Sequence, residues 1–439
     1  MPFLLEKFGV DGLYGTYSYD IPIKDNKIVL IGENGTGKST IASIMYYFLT
    51  EQWEELLNYK FKAINVRVNN EDYSFKYEDM NNYSKLLLIK NKLESISPKF
   101  EDNKDTVIKL SSIDDLSADL ENSFKFIKKL KIEGNKKFSK KNKELNNNIF
   151  REKTFFLYLP TFRRIEQDID KIFLKNNTDE IKKIKEKFSA TKKCEKYSTL
   201  IEFGMEDVKN DINKKMEQIK DKFRTELNNM SRSYLKDVIN RSFDISSTKK
   251  DSLLKIESQE LDNMLEHIEE EILSSQEKGK IKNIVNKIKS NNKIEDKDNL
   301  IVHYLLKLLE TQKALDKEEK DIKDFVNVCN NYLFDKKMKY DNVNFKINIE
   351  PNNIELQNLS SGEKQIVSLF SHIYLKEQKN NFIIIDEPEL SLSVKWQQQL
   401  LPDILASNKC IGLISTTHSP FIFDNNLENY TYTITDFRR

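Results

Sequence analysis

The chain has 439 residues, and its 71 basic and 70 acidic side chains nearly cancel, so bulk electrostatics does not call for a polyanionic partner. Charged residues make up 32% and hydrophobic residues 38%, a balance that suits two or three domain-sized units with a long solvated helical part. No apolar run approaches the ~18 residues needed to span a bilayer. The start, Met1-Pro2-Phe3-Leu4-Leu5-Glu6-Lys7, lacks a basic region and cleavage site of the secretory type. Cys194, Cys329 and Cys410 are too scattered for a zinc site or a disulfide scaffold. A cytoplasmic protein with no membrane contact is expected.

Lys27-Ile28-Val29-Leu30-Ile31 reads as a buried strand, and Ile41, Ile44, Met45, Phe48 and Leu49 have the spacing of a helix face. Between them, Gly32-Glu33-Asn34-Gly35-Thr36-Gly37-Lys38-Ser39-Thr40 contains the pattern G-x-x-x-x-G-K-[ST]. Strand, glycine loop and helix together aim backbone N–H groups and a helix N-terminus at a phosphate chain. Glu33 to Thr40 are therefore the candidate ATP-binding residues. Lys38 would stand between the β- and γ-phosphates, and the Ser39 hydroxyl would ligate Mg²⁺.

Phe61 to Val68 alternates with period two, Asn69-Asn70 is a turn dipeptide, and Tyr73 to Tyr77 alternates again, which predicts a hairpin. From about Asn91 to Asn148 the sequence is polar with weak periodicity. Nine lysines lie between Lys125 and Lys143 against the single acidic Glu133. A mobile solvated loop and a nucleic-acid patch both stay open as readings of this stretch. Thr154 to Leu159 is a fully apolar strand stopped by Pro160. Arg163 or Arg164 beyond it can meet phosphate with a bidentate fork, or salt-bridge the next helix.

Residues ~165 to 325 are helical by pattern. Met205, Val208, Ile212, Met216, Ile219, Phe223, Leu227 and Met230 form one apolar stripe on a long helix. Shorter stripes follow at Leu261, Leu265, Ile268 and Ile272, and at Ile281, Ile284, Val285 and Ile288. A further helix starts near Asn299. These are the seams of a compact helical hairpin or bundle. Asn344 to Ile349 and Asn353 to Leu356 are expected as paired strands around Pro351-Asn352.

Leu359-Ser360-Ser361-Gly362-Glu363-Lys364-Gln365 then opens a helix carrying Ile366, Val367, Phe370 and Ile373. Phe382 to Ile385 is a central strand ending in Asp386, placed to bind Mg²⁺. Glu387 is the candidate general base or water-positioning residue. Cys410 to Ser415 is a third buried strand, and His418 behind it is a candidate γ-phosphate sensor. His267, His303 and His372 lie in helical patterns and are expected to be structural.

Phosphate loop, glycine signature, acidic strand end and switch histidine, in that order, resemble the ATP-binding-cassette class of P-loop ATPases, which includes transporters, SMC proteins and RecF-like DNA repair ATPases. That resemblance implies an α/β head assembled from two lobes, with an inserted helical, short coiled-coil-like domain. Gly32 and Gly362 stand 330 residues apart, so the expected division is 1–165 as lobe I, 166–325 as the insertion and 326–439 as lobe II. It further implies that Ser360, Ser361 and Gly362 act on ATP held by a second protomer, in a homodimer or higher homo-oligomer. In this class the strand before Pro160 ends in a glutamine; here Pro160 to Arg164 stand in that place and the nearest is Gln167, which makes Arg163 a further candidate nucleotide contact. Asp386-Glu387-Pro388-Glu389-Leu390-Ser391-Leu392 and Thr417-His418-Ser419-Pro420 look most like the RecF- and overcoming-lysogenisation-defect-like branch. Leu157 to Glu166 and Leu200 to Val208 are similar to stand-alone defence ATPases, such as those of the PARIS and Septu systems. With 21 residues after His418, no Toprim nuclease is expected in this chain. The function implied is an anti-phage ATPase that senses a phage-derived trigger and controls a separate nuclease or toxin. The alternative is a DNA repair or chromosome-maintenance ATPase that binds nucleic acid.

Overall fold

The computed structural model describes residues 3–96, 134–150, 153–160, 196–199, 205–242, 256, 258–266, 273–291, 298–378 and 380–439. The chain forms two compact units, one from Met1–Phe203 with Glu377–Arg439 and the other from Gly204–Lys376.

The first unit is built on two sheets. Strands β1 (Leu5–Leu13), β2 (Tyr17–Pro22), β4 (Ala63–Val68) and β5 (Glu71–Lys76) form an antiparallel sheet in the order β2-β1-β4-β5. The β4–β5 hairpin is the one read from the alternation. Asn69 and Asn70 take φ of 51° and 65°, the left-handed values a two-residue hairpin turn needs and asparagine tolerates. The second sheet is parallel and contains β3 (Lys27–Ile31), β6 (Thr154–Leu159), β7 (Tyr197–Thr199), β10 (Asn380–Asp386), β11 (Cys410–Thr417) and β12 (Thr431–Thr433). Its order is β12-β3-β11-β10-β6-β7. The strands β3, β10 and β11 carry apolar runs because both faces are covered. Helix α1 (Lys38–Leu49) packs Ile41, Ile44, Met45 and Phe48 into one core shared by both sheets, with Phe8, Phe75, Phe156 and Phe382. Short helix α2 (Trp53–Leu56), α3 (Tyr77–Ile96), α4 (Gly134–Phe150) and α10 (Val394–Ala406) complete this unit.

Helix α4 corrects the loop expected in the lysine-rich stretch, of which residues 125–133 lie outside the described residues. Phe138, Leu145 and Ile149 are buried, and Phe138 meets the Phe75 and Trp53 rings with centroids 5.4 and 5.9 Å apart. The remaining position on that face is Asn142, buried and donating from Nδ2 to Glu51 Oε1 at 2.6 Å. A polar residue inside the apolar stripe hid its period.

In the second unit, α5 (Glu206–Asn240) buries Val208, Ile212, Met216, Ile219, Phe223 and Met230, the stripe seen in the sequence. Its partner is α8 (Asn299–Asn330), with the shorter α6 (Ser258–Glu266) and α7 (Ser275–Asn291) around Leu261, Leu265, Val285 and Leu305. Ile268 and Ile272 lie outside the described residues. The hairpin that follows differs from expectation. β8 (Lys337–Asp341) pairs antiparallel with β9 (Lys346–Glu350), matching Met338 to Ile349 and Tyr340 to Ile347. The turn is set by Asp341, whose Oδ1 accepts the N–H groups of Val343 at 3.1 Å and Asn344 at 3.0 Å. This is an aspartate turn of the kind that competes with extended structure. Asn353 onward leads through a 3₁₀ turn, Leu356–Asn358, to the signature helix α9 (Ser361–Tyr374).

Candidate nucleotide site

The phosphate loop leaves β3 at Ile31 and re-enters helix at Lys38. Gly35 and Gly37 sit at φ of 80° and 88°, where a side chain costs roughly 1–2 kcal/mol. Tyr19 on β2 braces the loop, donating from its hydroxyl to Thr36 O at 2.9 Å. A Cβ added at Gly37 would stand 3.4 Å from that same hydroxyl oxygen. Glu33, Asn34 and Gly35 are exposed at the crest of the loop. The first-turn N–H groups of α1 have no carbonyl a turn earlier to bond, so Lys38, Ser39 and Thr40 offer free donors to an anion.

Lys38 is 4% exposed. Its Nζ donates to Gly32 O at 2.8 Å, to Glu33 O at 3.1 Å and to His418 Nε2 at 2.8 Å. These three contacts take up all three ammonium protons of a charged Lys38. Burial lowers the Lys38 pKa, opposed by the nearby charges of Glu387, Asp386 and Glu389.

Ser39 Oγ donates to Asp386 Oδ1 at 2.9 Å, and Thr416 Oγ1 donates to the same oxygen. Asp386 is 2% exposed and faces Thr416 across the β10–β11 register. One strand, β11, separates β10 from β3. That spacing opens the gap into which the first turn of α1 reaches. Glu387 follows at φ 50°, its N–H donating to Thr416 O at 2.9 Å. The tight turn lifts its carboxylate off the strand to 3.8 Å from His418 Nε2. Burial raises the Glu387 pKa, helped by the charges of Asp386 and Glu389 and opposed by His418 and Lys38. A carboxylate raised in this way is a better proton acceptor than a surface glutamate.

Motif reading missed several residues here. Glu389 Oε1 accepts the His418 backbone N–H at 2.8 Å, and Ser419 Oγ donates to Gln397 Oε1 at 2.6 Å. These bonds tie the segment after β10 to the segment carrying the histidine. Ile434, just past β12, stands 3.1 Å from where a Gly32 Cβ would lie. The only signals for Thr416 and Glu389 were their places inside Thr-Thr-His and Asp-Glu-Pro-Glu.

In the second unit, the signature forms the N-terminus of α9. Ser360 is the N-cap, and a full capping box closes it. Ser360 N donates to Glu363 Oε2 at 2.7 Å, and Glu363 N to Ser360 Oγ at 3.4 Å. Ser360 and Ser361 are exposed and Gly362 is buried in the first turn. His372 on the same helix is buried, which lowers its pKa to about 3, and His303 meets Asp237 at 3.0 Å. Both are structural in setting. Arg163, Arg164, Gln167 and His267 lie outside the described residues.

A parallel sheet, a glycine loop with a buried lysine, and a serine–aspartate pair at the strand ends define a P-loop ATPase fold. The profile of the AAA ATPase domain family AAA_15 matches residues 14–423, and the chain belongs to that family. No curated protein matches it. Among solved structures, the chain is similar to an Smc head domain with an extended coiled coil, bound to the C-terminal domain of ScpA, from Pyrococcus furiosus. Identity is 13%, coverage is 96% of this chain and 91% of that one, and the TM-score is 0.33. It is also similar to an Smc head domain with a coiled coil and joint from Pyrococcus yayanosii, at 14% identity, 96% and 93% coverage and TM-score 0.31. The recombination mediator protein RecF bound to ATPrS is similar at 10% identity, 96% and 94% coverage and TM-score 0.30. Among the described residues, no helix is long and apolar enough to cross a membrane.

Proposed function

We propose that this chain binds ATP with Mg²⁺ and hydrolyses it to ADP and phosphate. The observation that supports this most directly is the meeting of Lys38, Ser39, Asp386, Glu387 and His418 from opposite ends of the chain. Ser39 and Asp386 present adjacent oxygens, the donor set a hard cation takes. Mg²⁺ held there would neutralise charge on the β- and γ-phosphate oxygens. Lys38 and the loop N–H groups hold the phosphates. Glu387 orients water and accepts its proton as the water oxygen bonds to the γ-phosphorus and the bond to the ADP oxygen breaks. His418, released from Lys38 when phosphate takes the ammonium, turns to the γ-phosphate.

Ser360, Ser361 and the first-turn N–H groups of α9 act on ATP held by a second copy of the chain. ATP then favours a closed dimer because it touches both protomers, and hydrolysis removes that differential contact. The test is complementation. Neither Ser360→Arg nor Lys38→Ala alone should hydrolyse ATP, whereas their mixture should recover activity through one intact composite site. A mixture as inactive as its parents, with heterodimers formed, refutes the arrangement.

The biological reading is a cytoplasmic anti-phage ATPase that responds to a phage component and controls a separate nuclease or toxin. It draws on the likeness of Leu157–Glu166 and Leu200–Val208 to defence ATPases. Phage protection should require this gene and a neighbouring effector gene, and should fail with Lys38→Ala. Protection by this gene alone, or protection that survives Lys38→Ala, counts against it. The DNA-maintenance alternative is favoured by one observation: α4 exposes Lys140 and Lys143 at the end of the basic stretch. Salt-dependent DNA binding lost with those lysines would support it.

A further inference from the structure

The signature turn is held from beneath by a cation outside every motif. Lys336, just before β8, places Nζ 2.9 Å from Glu363 Oε1 and 3.0 Å from Oε2. Glu363 is 2% exposed and is the same carboxylate that accepts the Ser360 N–H in the capping box. A buried carboxylate without its cation is strongly disfavoured, so removing Lys336 loosens the turn that Ser360 and Ser361 define. The strand that follows Lys336, β8, is in turn pinned to α8 at two levels. Asn330 brackets Met338, donating from Nδ2 to its carbonyl at 2.9 Å and accepting its N–H on Oδ1 at 2.7 Å. The Tyr340 hydroxyl donates to Glu319 Oε1 at 2.8 Å, and Glu319 is fully buried and paired with Lys323 at 2.8 Å. Polar contacts at Met338 and Tyr340, joined through the β8 backbone to the Lys336–Glu363 pair, therefore link the last long helix of the insertion to the N-cap of the signature helix.

We propose that Lys336 is a positioning residue for ATP hydrolysis in trans, setting the signature turn through Glu363, and that α8 adjusts it through β8. The inference rests on the composite-site reading above. Lys336 acts in this proposal through the signature turn and not through the phosphate loop, so its loss lowers turnover and leaves binding at that loop unchanged.

Steady-state hydrolysis and equilibrium binding of a fluorescent ATP analogue are measured on the full chain. Lys336→Met should lower kcat about tenfold or more while KM and the analogue Kd stay within about twofold. Lys336→Arg, which keeps the positive charge, should recover most of kcat. Tyr340→Phe should lower kcat by a smaller factor without moving KM, and it decides the question if Lys336→Met does not fold. Mixed with Lys38→Ala, Lys336→Met should regain activity, because the signature in the intact composite site then comes from the Lys38→Ala protomer. Wild-type kcat in both Lys336→Met and Tyr340→Phe overturns the inference, as does a loss carried by KM and Kd. If Ser360→Arg with Lys38→Ala also stays inactive, the composite-site reading falls and takes this one with it. If that mixture is active while Lys336→Met turns over normally, only the role of Lys336 is lost.

Discussion

Replacing Glu387 by glutamine separates the proton acceptor from everything else in the site. The side chain keeps its shape, the backbone at φ 50° is unchanged in its demands, and Lys38 stays anchored on Gly32 O, Glu33 O and His418. Nucleotide binding should therefore persist. Loss of a positioned general base costs on the order of 10²–10⁴ in rate, about 3–5 kcal/mol of transition-state stabilisation. Stability should move in the opposite sense. The Glu387 pKa is raised in the folded chain by burial and by Asp386 and Glu389, so the folded state binds more protons than the unfolded one between the two pKa values. Stability of the wild type then falls as pH rises from the ordinary value of 4.5 through the raised one. Glutamine lacks that loss, so its Tm should match wild type below pH 4.5 and exceed it at neutral pH. Single-turnover hydrolysis, equilibrium ATP binding and thermal scans at both pH values check the three statements. Undiminished hydrolysis refutes the base assignment, and a lower Tm at neutral pH refutes the account of the raised carboxyl pKa.

Lys38→Ala removes the buried ammonium and its charge-assisted bonds to phosphate, so isothermal calorimetry should find ATP affinity reduced by about two orders of magnitude. Asn26 is 5% exposed; its side chain accepts Leu5 N–H at 2.7 Å and donates to Phe3 O at 2.8 Å and Ile411 O at 3.1 Å. Asn26→Ala strands those backbone groups and should cost about 2–4 kcal/mol in urea unfolding. Gly412 on β11 pairs with Phe382 on β10, and an added Cβ would lie 2.4 Å from Phe382 Cε2 and 3.0 Å from Asn26 Cβ. Gly412→Ala should destabilise the chain by about 1–3 kcal/mol, seen as a lower Tm, whereas a Tm equal to wild type would show that the sheet opens to admit the methyl.

What could be read in the sequence was local. Lys27–Ile31, the glycine loop and the α1 face are contiguous, so their periods and the demand for left-handed backbone at Gly35 and Gly37 are visible in the order of residues alone. The long stripe of α5 and the apolar runs of β6, β10 and β11 were legible for the same reason. Tertiary structure decided whatever depends on which strand lies beside which. Nothing in Thr431–Thr433 announces that it pairs with β3 and brings Ile434 against Gly32. The α4 face was broken by Asn142, whose burial makes sense only once Glu51 receives its hydrogen bond. The β8–β9 register was fixed by Asp341 folding back on Val343 and Asn344, a side-chain turn that outcompetes the later Pro351-Asn352 signal. Lys38 and His418 are 380 positions apart, and no sequence period reaches that far. A parallel sheet sets such distances by hydrogen bonding non-consecutive strands, so the roles were written in the motifs while their meeting was written in the strand order.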